Sequence, residues 1–292
     1  HRRDALTKSS VLRTLLAKNE LIRAPGVYDG ITARLVEQAG FPVVYMTGAG
    51  TSMSLGYPDL GLITQTEMVA NASVISRTVD VPVIADADTG YGNEINVTRT
   101  VNEYERAGVS AIHIEDQVSP KRCGHLDGKE LIPLDEYLAK IRAAVAARRD
   151  PDFVIIARTD ANAVTGFDDA LERANAALAA GADVAFVEAA KDMEQLVAIP
   201  KQVKGPCLLN VVVGGKTPDL NMVDAEEMGY RIAILPSMLT ATIFNACDKV
   251  LDELNRSHQP PSSVGMSVGD RFKRFHSDYW NELRTKFQTP SS

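Results

Sequence analysis

Short runs dense in Val, Ile and Leu alternate along this chain with longer segments whose apolar residues recur at helical spacing. The runs at 21–28, 43–47, 81–87, 111–115, 153–159, 184–188, 207–212 and 231–235 read as strands. Their near-continuous apolar content suits parallel strands buried on both faces. Between and after them lie the amphipathic segments 30–39, 66–79, 95–107, 134–148, 168–180, 193–203, 221–228 and 237–256. Ala39-Gly40, Ala107-Gly108, Ala180-Gly181 and Met228-Gly229 stand just before the next strand, where glycine supplies a left-handed helix cap. Eight strand–helix units with short links predict a (β/α)8 barrel over 1–256, with a short N-terminal helix. The turn after the first strand, YDGITAR, lacks the glycine-rich fingerprint of a doubly wound dinucleotide fold. A linker at 257–265 leads to a final segment, 266–290, whose Phe272, Phe275, Tyr279, Trp280, Leu283 and Phe287 form a helical apolar stripe. That stripe packs either on its own barrel or on a neighbouring subunit.

In such barrels catalytic groups sit at the C-terminal ends of the strands. Here six of the predicted strands end in polar residues: Tyr45-Met46-Thr47-Gly48, Asp86-Ala87-Asp88, Glu115-Asp116, Arg158-Thr159-Asp160, Glu188 and Asn210. Polar groups closing buried strands are costly to desolvate unless they share a site. This pattern argues for an enzyme.

Asp86 and Asp88 are two apart and project to the same side, and Glu115 closes the next strand. Carboxylates held close repel unless a cation or proton lies between them. With oxygen donors alone on offer, the pattern points to Mg²⁺, with Mn²⁺ as a substitute. The plainer alternative has one aspartate capping the following turn and the other pairing with Arg99. The polar stretch 117–132 is long enough for a lid and carries Lys121, Arg122, Cys123, Gly124 and His125. Adjacent cations would lower the Cys123 pKa; the alternative is an inert thiol. Arg158 offers a bidentate grip on a substrate carboxylate and can pair with Glu188 or Asp160, the two roles being compatible. His113, inside a strand, reads as structural.

The net charge of −7 argues against nucleic acid or an anionic membrane as partner. It also means that an anionic substrate would need local cations. Three cysteines without a CxxC pair, and no signal-peptide or membrane-span pattern, point to a cytoplasmic protein.

DADTGYG at 86–92, IEDQ at 114–117 and KRCGH at 121–125 resemble the isocitrate lyase/phosphoenolpyruvate mutase superfamily, KRCGH being the signature of its lyase branch. The resemblance covers roughly 20–257. It implies a homotetramer in which a C-terminal helix is exchanged between subunits. It also implies that Asp86, Asp88 and Glu115 hold Mg²⁺, with Asp59 in the outer shell. Tyr45, Thr47, Gly48 and Ala49 would then cradle an α-oxo acid, with Asp86, Lys121, Arg122, Gly124, His125, Arg158, Glu188 and Asn210 around it. The implied reaction is retro-aldol cleavage of a 2-hydroxy di- or tricarboxylate, of the 2,3-dimethylmalate or 2-methylisocitrate type. In it Cys123 is the acid, Tyr45 a candidate base and 117–132 the gating loop. Val211-Val212-Val213 after Asn210 remove partners for a third carboxylate. Pro236, where the hydrolases of this group tend to carry serine, weighs against oxaloacetate hydrolysis. A C–P bond enzyme and a non-catalytic binding barrel are the remaining alternatives.

Overall fold

The computed structural model describes residues 6–261 and 265–288, which form two compact units, 1–240 and 241–292. In the first unit α1 (Lys8–Ala17) precedes β1 (Ile22–Val27), α2 (Gly30–Gln38), β2 (Val44–Met46), α3 (Gly48–Ser54), α4 (Gln65–Thr78), β3 (Val83–Asp86), α5 (Glu94–Ala107) and β4 (Ala111–Glu115). There follow α6 (Leu134–Ala147), β5 (Val154–Thr159), α7 (Ala161–Val164), α8 (Phe167–Ala179), β6 (Val184–Val187), α9 (Met193–Gln202), β7 (Cys207–Asn210), α10 (Met222–Met228) and β8 (Ile232–Leu235). The eight strands pair in parallel and in chain order, and β8 closes on β1. The (β/α)8 expectation is therefore met. Gly40, Gly108, Gly181 and Gly229 all adopt the left-handed backbone expected of caps.

The pleat decides where the site lies. Ile22, Tyr45, Ile84, Ala111, Ile156, Phe186, Leu208 and Ile234 share the cluster that fills the barrel. The alternate residues, such as Val44, Ala85 and Ile112, belong to a second cluster with the surrounding helices. Followed toward the C-terminal ends, the inward series turns polar: Ile84 to Asp86, Ala111 to His113 to Glu115, Ile156 to Arg158, Leu208 to Asn210. Leu12 of α1 joins the interior cluster fully buried, with Leu15 and Leu16 packed against it.

Some details depart from the sequence reading. The run 207–212 leaves the ladder after Asn210, although the Val211 amide still donates to the Ile234 carbonyl. The helix α3 was not predicted, because its GAGTSMS sequence carries no apolar stripe. The expected boundary at 256/257 falls inside the second unit. That unit contains most of α11 (Met238–Ser257), together with α12 (Val268–Lys273) and α13 (Ser277–Gln288). The single helical segment expected over 266–290 is broken where His276 takes a left-handed backbone. Residues 262–264 of the linker, and 289–290, lie outside those described. Phe272, Tyr279, Trp280 and Phe287 are exposed, Trp280 at 65%.

Removing the Leu12 side chain should leave a cavity against the barrel floor. Leu12→Ala is expected to cost about 2–5 kcal/mol in urea unfolding while leaving the chemistry at the far end unchanged. A loss below about 1 kcal/mol would show that α1 does not close the barrel.

Candidate active site

A layer of rings separates the apolar interior from the polar mouth. His113 stacks on Tyr45 at 5.7 Å and meets Phe186 edge-on at 5.5 Å. The Arg158 guanidinium lies over Phe186 at 5.2 Å. Above this floor is a cavity of about 110 Å³, lined by residues from several strand ends. It brings together Tyr45, Thr47, Gly48, Ala49, Asp59, Asp86, Cys123, Gly124, His125, Arg158, Glu188 and Asn210, each picked out in the sequence. Gly48 is needed where it is, since a Cβ there would lie 2.2 Å from Asp86 Oδ2.

Asp86, Asp88 and Glu115 are all buried. Burial is the main reason each carboxyl is raised above its ordinary range, Asp88 to about 6 and Glu115 further. Lys121 enters among them, its Nζ 2.5 Å from Asp59 Oδ1 and 3.1 Å from Asp88 Oδ1. Burial alone would discharge this ammonium, but Asp88, Glu115, Asp59 and Asp86 together hold its pKa well above the usual lysine value. Lys121 is thus a countercharge to carboxylates, behind the cavity wall rather than in it. Asp88 Oδ1 and both Glu115 oxygens have no hydrogen-bond donor, although Lys121 and Arg158 stand at ion-pair distance. The carboxylates Asp59, Asp86, Asp88, Glu115, Asp160 and Glu188 outnumber the cations set among them, Lys121, Arg158 and Lys129. Such an oxygen-only, donor-poor cluster fits a hard divalent cation. Among the described residues no three His, Cys, Asp or Glu side chains close directly on one point, so the fit is to a cation that retains water.

The gating loop carries Cys123, half-buried and facing the cavity. The expected fall in its pKa is not found. Burial pushes the thiol up, outweighing the His125 backbone hydrogen bond, Arg158 and Lys121. The sequence neighbours thought to acidify it have turned elsewhere. Lys121 faces the carboxylates, while Arg122 is exposed and spans Gln117 and the Asp127 carbonyl. Arg122, expected around the substrate, does not line the cavity. Gly124 packs its backbone so closely that a Cβ would meet Arg158 Nη2 at 2.5 Å and Glu188 Oε2 at 2.6 Å.

Arg158 directs its bidentate edge to Asp160, Nε to Oδ2 at 3.1 Å and Nη2 to Oδ1 at 3.0 Å. Its Nη1 stands 3.2 Å from Glu115 Oε2. The bidentate face expected to grip substrate is therefore engaged within the protein. Glu188 resists burial through Arg158, His125 and the Asn210 amide, which donates to Oε2 at 2.9 Å, and its carboxyl lies far below the usual range. Tyr45 was a candidate base, and the geometry is against it. Burial, then Asp86, hold its phenol well above the ordinary value, and the hydroxyl is 2.7 Å from His113 Nε2. His113 is itself kept neutral, pushed down by burial to about 3.

The sequence reading missed Met53, Phe186 and Thr240 as cavity residues, because they stand singly and carry no motif. Of the three valines after Asn210, only Val212 lines the cavity. Val211 packs on the core and Val213 is 80% exposed. Ser237 lines the cavity beside Pro236. A serine therefore stands in the cavity wall next to the proline.

Residues 12–255 match the phosphoenolpyruvate phosphomutase family. The chain is 48% identical over 248 residues to 2,3-dimethylmalate lyase of Eubacterium barkeri, covering 85% of each chain. It is 49% identical over 244 residues to 2-methylisocitrate lyase of Aeropyrum pernix, covering 84% of this chain and 79% of that one. Among solved structures, oxaloacetate acetylhydrolase in complex with 3,3-difluorooxalacetate superposes with a TM-score of 0.93 at 40% identity, over 98% and 99% of the two chains. Phosphonopyruvate hydrolase in complex with oxalate and Mg²⁺ superposes with a TM-score of 0.88 at 31% identity, over 97% and 100%.

The raised carboxyls set a pH rule. A folded pKa of about 6 at Asp88, above the ordinary 3.8, gives stability that is present below about pH 4 and is lost as pH rises through 6. Asp86 and Glu115 shift the same way. A cation that binds the ionised forms should offset this loss. Mg²⁺ is thus expected to raise the melting temperature more at pH 8 than at pH 5. Equal shifts at both pH values would show that these carboxylates are not its ligands.

Proposed function

The chain belongs to the phosphoenolpyruvate mutase/isocitrate lyase superfamily, and from that premise we propose that it is a carbon–carbon lyase cleaving a 2-hydroxy diacid of the 2,3-dimethylmalate type to an α-oxo acid and a carboxylate. The observation that carries the reading is a half-buried thiol, Cys123, facing a small cavity beside donor-poor buried carboxylates. Retro-aldol cleavage leaves an enolate-like carboxylate that needs a proton, and a thiol whose pKa is raised by burial holds one at neutral pH.

Asp86, Asp88 and Glu115 are the residues to hold Mg²⁺, or Mn²⁺ in its place, with Asp59 behind them. When bound, the ion supplies a Lewis acid that draws electrons from the substrate's carboxylate and hydroxyl oxygens. Thr47, Gly48 and Ala49 offer a cradle for the carboxylate. Tyr45, held neutral, orients a substrate oxygen through its hydroxyl, and the proton of the substrate's own hydroxyl passes to a carboxylate that lines the cavity rather than to Tyr45. Closed against Arg158 and Glu188, Gly124 and His125 exclude water from the leaving fragment.

Val212 offers no polar partner where a tricarboxylate would need one, and the bidentate edge of Arg158 is already occupied by Asp160. Both facts support a diacid over 2-methylisocitrate. The exposed aromatic residues of α12 and α13 support a subunit contact through the second unit, as a homotetramer would need. Three unpaired cysteines suit a reducing cytoplasm, and no described helix is long and apolar enough to cross a membrane.

Ser237 in the cavity wall supports a second reading, hydrolysis of oxaloacetate to oxalate and acetate. An assay of α-oxo acid release with Mg²⁺ on 2,3-dimethylmalate, 2-methylisocitrate and oxaloacetate separates the two. The lyase predicts pyruvate from 2,3-dimethylmalate, abolished by EDTA and lowered by about 10²–10⁴ in Cys123→Ser. Near-wild-type turnover in Cys123→Ser would remove the cysteine from the mechanism. Oxalate formed from oxaloacetate alone, and lost in Ser237→Ala, would select the hydrolase.

A further inference from the structure

The gating loop has a fixed base. The Val118 amide donates to the Glu130 carbonyl at 2.8 Å and the Ile132 amide to the Asp116 carbonyl at 2.9 Å. Arg173 of α8 ties both sides, with Nη1 3.2 Å from Asp116 Oδ2 and 2.9 Å from the Ile132 carbonyl. Beyond this base the residues carrying Cys123 form no helix or strand, and they wall the cavity that substrate must enter. Charge holds this tip down beside the Gln117–Arg122 hydrogen bonds and the Lys216 amide that donates to His125 Nδ1. Lys121 enters the carboxylate cluster on one side of Cys123, and Lys129 is buried on the other.

Lys129 is 7% exposed. Its Nζ donates to the Gly124 carbonyl at 2.7 Å and to Asp160 Oδ1 at 2.9 Å. Asp160 is itself fixed, its amide donating to Asp116 Oδ1 at 2.9 Å while both carboxylate oxygens accept from Arg158. Burying an ammonium is tolerable only when it is paired and hydrogen-bonded, so this cation is secure while the loop is down and loses its partners when the loop lifts. Gly124 separates Cys123 from His125, so the same ammonium ties the acid's own backbone to the post that holds Arg158.

We propose that Lys129 is a positioning residue that latches the gating loop closed, its ammonium bridging the Gly124 carbonyl to Asp160 so that Cys123 and His125 are held against the cavity. The latch concerns the site assigned above, but its main test does not need the lyase reading. The rate at which iodoacetamide alkylates Cys123, followed by peptide mass spectrometry with Mg²⁺ and oxalate present, reads closure directly. Cys207, buried in β7, and Cys247, exposed, serve as internal references.

Lys129→Met is expected to raise Cys123 labelling about ten-fold with Cys207 still protected, and Lys129→Arg to restore most of the protection. Losing a nearby cation would by itself slow thiol alkylation, so acceleration reports exposure. Labelling of Cys123 in Lys129→Met within about two-fold of wild type, with Cys207 protected, would overturn the latch. Should Lys129→Met expose Cys207 as well, Lys129→Gln, which keeps a donor for Gly124 but no charge for Asp160, is read against the same thresholds. Turnover gives the second readout, a fall in kcat larger than any change in KM, rescued by Lys129→Arg. If the wild-type protein turns over none of the substrates, the lyase reading fails while the labelling still decides the latch.

Discussion

Carboxylates buried at the end of a hydrophobic barrel must each meet a cation or a proton, and the site is organised by that constraint. Unpaired, an ionised carboxylate would cost several kcal/mol to hold out of water. Glu188 and Asp160 meet the requirement with Arg158, and both are held below the usual carboxyl range although burial alone would raise them. Asp86, Asp88 and Glu115 meet it incompletely, and their pKa values rise. The two groups face one another across Arg158, which divides its charge between Asp160, Glu115 and Glu188. One half of the mouth is therefore balanced by the protein, and the other is left donor-poor, the half to which the proposed Mg²⁺ is assigned.

The barrel provides this arrangement at little conformational cost. A parallel strand places alternate residues inward, so a change from apolar to acidic at the last inward position moves charge to one end without disturbing the packing below. The Tyr45–His113–Phe186 layer marks that change. His113 is neutral there, so the floor adds no charge to the balance above it. The loops then decide the chemistry. Relatives at 40–49% identity include lyases and an acetylhydrolase, so one barrel serves different reactions.

What the sequence made legible is what periodicity and strand ends encode. Near-continuous apolar runs between amphipathic segments gave the eight strands, and with them Asp86, Asp88, Glu115, Arg158, Glu188 and Asn210 at one end. Glycines after helices gave four of the caps. What it hid depends on which chain neighbours remain neighbours in space. Lys121 and Arg122 flank Cys123 in sequence, yet one turns to the carboxylates and the other to the loop backbone, so the direction of the thiol's shift was misread. Lys129 and Asp160 are 31 residues apart and meet only because the loop folds over the mouth. A seven-residue helix of small side chains, α3, offers no apolar stripe to recognise. Reading Pro236 alone passed over Ser237 beside it, because past the end of β8 both adjacent residues line the cavity.

The carboxylates proposed to hold the metal and the thiol proposed as the acid belong to one electrostatic unit. Asp59 sits at the edge of the cavity, pairs with Lys121 and raises the Cys123 pKa, while Arg158 and Lys121 lower it. Any cation that neutralises the carboxylates therefore also acts on the thiol, making it a stronger acid as the cluster loses its negative surplus. A dianionic substrate has the opposite effect and restores the negative charge. With both present the thiol is returned toward its proton-holding state, which a donor to the leaving fragment requires. A neutral cavity lining would supply the same shape without this compensation. On the proposed lyase reading, the acidic surplus at the barrel mouth adds to burial in keeping the proton on Cys123.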